Sequence, residues 1–132
     1  MSDLRYLDAS ALVKLVVAEP ESDPLARWLG PEPRIASSEI AITEVVRAVR
    51  LADSRSELVD RARRRLEETT LVELSRDLLE RAATVGPARL RTLDAVHLAT
   101  ALALEPDEFV AYDRRLLGAA EAAGLTVASP GA

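Results

Sequence analysis

Short runs of strand-forming residues alternate with amphipathic helical stretches along the whole chain, and this alternation restricts the fold more than any other feature. Leu4-Arg5-Tyr6-Leu7-Asp8 reads as a first strand, and residues 10–17 as a helix presenting Leu12, Val13, Leu15 and Val16. Glu19-Pro20-Glu21-Ser22-Asp23-Pro24 breaks that helix and caps a second one through Trp28, which Gly30-Pro31 stops. Residues 34–37 read as a second strand, after which Ser38 and Glu39 open a long helix through Ala52. Ser54 or Ser56 starts a further helix to about Glu68, amphipathic through Leu58, Val59, Ala62 and Leu66. Residues 71–74 form a third strand, 76–85 a helix, 92–104 the most apolar helix, 109–112 a fourth strand, 114–123 a helix closed by Gly124, and 125–127 a fifth strand. Strands separated by helices along the whole chain predict a three-layer α/β fold on a mainly parallel sheet. At 132 residues, with no internal repeat or linker, the chain is expected to be a single domain over 1–132.

Composition narrows the chemistry. Aromatic residues are only 3%, so Leu, Val, Ile and Ala must fill the core, and base-stacking platforms are a poor route to nucleic acid. Cysteine is absent, which removes disulfides, thiolate nucleophiles and Cys-type zinc sites and suits a reducing cytosol. Met1-Ser2-Asp3-Leu4-Arg5 lacks a basic segment followed by an apolar run, so no signal peptide and a cytoplasmic location are expected. No stretch approaches the roughly 20 apolar residues of a membrane span. The net charge of −5 counts against a nucleic-acid binder, yet Lys14 is the only lysine among 17 basic residues. Arginine makes bidentate contacts with phosphate and carboxylate alike, although a GC-rich genome would favour it too.

Four acids sit where apolar elements end or on apolar helical stripes: Asp8, Glu44, Asp94 and Asp113. Acids are seldom buried unless paired or metal-bound. In an open parallel sheet, ligands bind beyond the carboxyl ends of the strands, near the point where strand order reverses. Asp8 and Asp113 each follow a strand, Glu44 lies in the helix after the second strand, and Asp94 in the helix feeding the fourth. All can therefore meet at one edge, where a hard divalent cation is the simplest relief for their repulsion. Plainer readings exist for each. Asp8 and Asp113 can cap helices, and Asp94 gains from a helix dipole. Glu44 shares a stripe with Ile40, Ala41, Val45, Ala48 and Leu51, and can pair with an arginine.

His97 stands alone as the only histidine, which leaves a His-based metal site poorly supported and favours a core histidine bonded to a neighbour. Ser10 is placed to orient Asp8 but lacks a nucleophile's Gly-x-Ser-x-Gly setting. Arg89, Arg91, Arg114 and Arg115 flank Asp94 and Asp113, as a phosphodiester substrate would need; surface ion pairs are the alternative. No phosphate-cradling glycine loop of either common type is present.

Taken in order, Leu7-Asp8-Ala9-Ser10-Ala11-Leu12-Val13-Lys14-Leu15, Ser38-Glu39-Ile40-Ala41-Ile42-Thr43-Glu44-Val45-Val46-Arg47-Ala48, Leu93-Asp94-Ala95-Val96-His97-Leu98-Ala99-Thr100-Ala101 and Tyr112-Asp113-Arg114-Arg115-Leu116 closely resemble PIN-domain proteins, with the VapC toxins of bacterial type II toxin–antitoxin modules as nearest kin. The resemblance spans essentially the whole chain. It implies a five-stranded parallel sheet in the order 3-2-1-4-5, and Mg²⁺- or Mn²⁺-dependent endoribonuclease activity leaving a 3′-hydroxyl and a 5′-phosphate. It further implies a homodimer and neutralisation by a VapB-like antitoxin. By matching position, Asp8, Glu44, Asp94 and Asp113 become the acidic site, Ser10 its polar support, and Thr43 and His97 structural residues. The competing expectations are a free-standing PIN nuclease, or a non-catalytic module that docks a partner through Val45, Val49 and Leu51 or through the Leu58–Leu66 stripe.

Overall fold

The computed structural model describes residues 3–132; the expectation that no signal segment begins at Met1 and Ser2 lies outside the described residues. The elements run β1 (Leu4–Leu7), α1 (Ala9–Lys14), α2 (Ser22–Leu29), β2 (Arg34–Ser38), α3 (Ala41–Ala52), α4 (Ser56–Glu67), β3 (Thr70–Val72), α5 (Arg76–Thr84), α6 (Thr92–Leu104), β4 (Glu108–Val110), α7 (Arg114–Ala122) and β5 (Val127–Ala128). Their five strands form one parallel sheet in the order β3-β2-β1-β4-β5. The three-layer α/β/α architecture and the strand order are those expected.

Because successive strand residues point to opposite faces, each central strand feeds two cores. Leu7, Ile35 and Val110 pack with Leu12, Leu25, Val45, Val49 and Ala62 of α1–α4. Tyr6, Ala36 and Phe109 pack on the other face with Leu98, Ala101, Leu116 and Ala120 of α6 and α7. Helix α5 covers the far side of α6 through Leu78 and Ala82 against Val96 and Ala99. Sandwiched this way, α6 buries every residue from Ala95 to Ala101. A sequence that is apolar all round, with no polar face, is what such a position requires.

β1 and β4 lie side by side, Leu7 opposite Val110. This is the place where the order reverses, since β2 and β3 continue to one side of β1 and β5 to the far side of β4.

Two local expectations fail for tertiary reasons. Ser38 and Glu39 do not open α3: Ser38 still pairs with Val72, the Glu39 N–H donates to the Val72 carbonyl, and the Glu39 carboxylate accepts from Leu74 N–H. Leu51 does not belong to the inward stripe of α3. The buried set is Ala41, Val45 and Val49, whereas Leu51 is 90% exposed. Val45 and Val49 are fully buried, so they cannot line a partner groove with Leu51. Among the described residues no helix is long and apolar enough to cross a membrane.

Candidate active site

Asp8 begins where β1 stops. Its backbone N–H donates to the Val110 carbonyl at 3.2 Å, which fixes it beside the end of β4. Its side chain caps α1: Oδ1 accepts from Ala11 N–H at 3.0 Å and from the Ser10 hydroxyl at 2.8 Å. The capping reading is therefore correct, but it accounts for one oxygen only. Asp8 is 5% exposed, and among the described residues no lysine or arginine pairs with it. Burial pushes its carboxyl above the usual range; nearby His97 and the two hydrogen bonds pull it back, and Asp94 pushes it further up.

Asp94 lies half-buried in the first turn of α6. Burial raises its pKa, and the charge of Asp113 raises it again; His97 and Arg91 act in the opposite direction, and Glu44 adds a smaller upward push. Asp113 is exposed at the start of α7, where Oδ1 accepts from Arg115 N–H at 2.9 Å and Leu116 N–H at 3.0 Å. Glu44, in the first turn of α3, does not pair with an arginine. Its Oε1 meets His97 Nε2 at 2.7 Å, while His97 Nδ1 meets the Tyr6 hydroxyl at 2.8 Å. His97 is thus a core histidine, bonded as expected, but its neighbour is one of the four acids. Tyr6 is the participant that sequence reasoning missed. The signal was the alternation along β1, which sends Tyr6 to the α6 face and Leu7 to the other.

The fold brings Asp8, Asp94, Asp113 and Glu44 from four elements to one end of the sheet, close enough that Asp94 feels the charges of Asp113 and Glu44 and Asp8 feels that of Asp94. It does not press them together. Among the described residues, no three histidine, aspartate or glutamate side chains form a ready-made cage for a metal ion. The donors nevertheless suit a hard cation: all are carboxylates, and among the described residues none of them is ion-paired with an arginine or lysine. Mg²⁺ prefers this looser arrangement to an all-protein cage, since it keeps several waters and takes one or two carboxylates plus substrate phosphate.

The four arginines divide. Arg89, Arg114 and Arg115 are exposed and line one groove of about 770 Å³ with Pro87, Leu90 and Gly118, between the turn before α6 and the face of α7. Arg91 lies outside that groove, at the residue preceding α6, where its charge bears on Asp94. None of the four forms an ion pair with a described carboxylate, so the surface-pairing alternative is not realised for them.

The sequence matches the family model described as PIN domain over residues 5–122. Ribonuclease VapC47 of Mycobacterium tuberculosis (strain CDC 1551 / Oshkosh) is 38% identical, the alignment covering 96% of this chain and 97% of that protein. Ribonuclease VapC46 of Mycobacterium tuberculosis (strain ATCC 25618 / H37Rv) is 42% identical over 95% of this chain and 96% of its own length. Among solved structures, Mycobacterium tuberculosis VapC20, described as a sarcin-ricin loop cleaving toxin, superposes with a TM-score of 0.74 at 19% identity, covering 96% of this chain and 99% of that one. A toxin–antitoxin complex from Klebsiella pneumoniae contains a chain with a TM-score of 0.67 at 21% identity, covering 96% of this chain and 97% of its own. At those identities the two structural likenesses show the fold alone.

Proposed function

The chain belongs to the PIN-domain family, alongside the VapC ribonucleases, and from that premise we propose that it is an endoribonuclease toxin whose acidic site works with Mg²⁺ or Mn²⁺. The observation that carries the metal-dependent part is Asp8: a buried carboxyl that no described lysine or arginine pairs with, within the field of Asp94 at the reversal point of the sheet. Asp8 and Asp94 would hold the cation, with Asp113 and Glu44 completing the shell directly or through water. Bound there, a divalent ion eases deprotonation of the attacking water and offsets the charge that builds on the phosphate. Ser10 fixes the Asp8 carboxylate by donating to Oδ1, the same oxygen that accepts from Ala11 N–H, so Oδ2 would be the atom available to a cation. Arg89, Arg114 and Arg115 hold the RNA backbone as it crosses the groove, with Arg91 closer to the acids. With few aromatics available, recognition rests on phosphate and folded shape more than on stacked bases.

The partners that follow are RNA and a VapB-like antitoxin, with a homodimer as the working oligomer and the cytoplasm as the compartment. A rival draws on a specific observation, that Asp8 and Asp113 both cap helices. Under it the domain is a non-catalytic docking module. Chelation separates the two. Brief expression followed by mapping of new 5′ ends in total RNA should reveal discrete cuts that require Mg²⁺ or Mn²⁺ in vitro and vanish with EDTA or with Asp8→Asn. Cuts that persist undiminished in Asp8→Asn would remove the role assigned to that residue.

A further inference from the structure

Tyr6, His97 and Glu44, from β1, α6 and α3, form one line of hydrogen bonds running from the centre of the sheet to the acidic site. We propose that His97 is a positioning residue for Glu44: its Nε2–H occupies Oε1, so that Oε2 alone is offered to the site, and Tyr6 fixes this arrangement from behind. The proposal rests on Glu44 belonging to the site, as argued above.

Donor and acceptor roles follow from the chemistry of the groups. A carboxylate can only accept, so His97 must donate at Nε2. In a neutral imidazole the other nitrogen then accepts, and the Tyr6 O–H must supply the proton. Tyr6 is suited to that: burial pushes its phenol far above the ordinary value, so the O–H persists at any working pH. It also cannot move. Tyr6 is fully buried, its ring stacks on Phe109 with centroids 5.5 Å apart and planes 5° from parallel, and His97 meets its edge at 5.9 Å and 72°. His97 itself is 1% exposed. Glu44 is the only loose member, with a side chain 20% exposed on a surface turn of α3. Left alone it would sample several rotamers and present either oxygen or both. Anchoring it to a rigid pair removes that freedom before substrate arrives.

The imidazole can be read directly, because His97 is the only histidine in the chain. Long-range ¹H–¹⁵N spectra of the tag-free, metal-free protein should show His97 protonated at Nε2 and bare at Nδ1. In Tyr6→Phe the Nε2–H form should persist, because the Glu44 carboxylate still only accepts, whereas in Glu44→Gln, whose amide can accept or donate, both tautomers should be populated. A wild-type spectrum of the Nδ1–H form would overturn the proposal without reference to activity.

Cleavage of total bacterial RNA at saturating enzyme supplies the second readout. His97→Leu should slow the cut by roughly 10- to 100-fold with an unchanged concentration dependence, as expected when a ligand's hydrogen-bonding partner is lost. His97→Gln, which can return an N–H near the Nε2 position, should recover most of the rate. In a Glu44→Gln background, His97→Leu should cost nothing more. Losses that simply multiply in the double variant, or that follow the melting temperature across the series, would make His97 a packing residue and sink the proposal. Glu44→Gln cutting as fast as wild type would instead remove Glu44 from the functional reading, and this inference with it.

Discussion

At the scale of single residues, Asp8 is held in place by two hydrogen bonds and destabilised by its own charge. Its pKa is raised in the folded state, so the folded chain holds the proton more tightly than the unfolded chain does. Metal-free protein should therefore gain stability as pH falls from neutral toward the ordinary carboxylate range near 4, and lose that gain as pH climbs through the raised folded value. Asp94 acts with the same sign. Glu21 and Asp53, whose pKa values are lowered by Lys14 and by the Arg55 backbone and side chain, act with the opposite sign but only below the ordinary range. Asp8→Asn keeps the acceptor for Ala11 and Ser10 and deletes the charge. It should raise the stability of the chelated protein and flatten the pH dependence above the ordinary carboxylate range. It should also abolish the rise in Tm expected of the wild type with Mg²⁺ or Mn²⁺, if the ion binds the native state as proposed. Thermal melts with and without EDTA between pH 5 and 8 check all three. A variant less stable than wild type under EDTA would show that Asp8 is already neutralised.

At the scale of elements, the sequence was legible wherever local chemistry and tertiary demand agreed. Helix α6 begins at Thr92 and ends at Leu104 as its apolar run suggests, because Pro106 forbids continuation and Glu105, at φ 52°, turns the chain in the left-handed region. Disagreement arose where a distant partner decided. Glu39 is kept out of α3 by Val72 and Leu74, more than thirty residues away. A nearer partner decides the fifth strand, which starts at Val127 because Leu125 N–H is engaged with Ala120, closing α7. The four acids could be picked from sequence because each breaks an apolar pattern, whereas the bond between Glu44 and His97 could not, since it joins two helices through side-chain geometry. Helix α7 offers a test of how a cap and a site residue can be the same group. Asp113→Asn preserves an acceptor for Arg115 and Leu116 and should leave stability near wild type, whereas Asp113→Ala should cost about 0.5–2 kcal/mol. Both should lose cleavage. Denaturant midpoints beside activity separate the two duties, and an Asp113→Asn enzyme that cuts normally would confine Asp113 to capping.

For the whole molecule, a chain of net charge −5 must bind a polyanion through local field. Its basic residues do not balance its acids everywhere: Arg65 is engaged with Glu68 just past the end of α4, and Arg76 and Arg81 with Glu80 and Asp77 along α5, while Arg89, Arg114 and Arg115 face an open groove. Replacing Arg89 and Arg114 by Ala in an Asp8→Asn background should weaken RNA binding across all sequences. It should also reduce the slope of log K against log salt by about 0.7 for each lost phosphate contact. Replacing Arg63 and Arg64, exposed on α4, should leave that slope alone. Fluorescence anisotropy over a salt series reads both, and equal slopes in the two variants would move the RNA path away from α7.

The pairing of β1 with β4 joins Leu7 to Val110, so the first and last acids become neighbours only after nearly the entire polypeptide exists. A chain still emerging from the ribosome carries Asp8 without Asp113, so the proposed acidic site stays incomplete until synthesis is nearly finished. A fragment ending at residue 104 should accordingly be inert toward RNA at any Mg²⁺ concentration, and lethality on expression should begin abruptly once β4 and α7 are included.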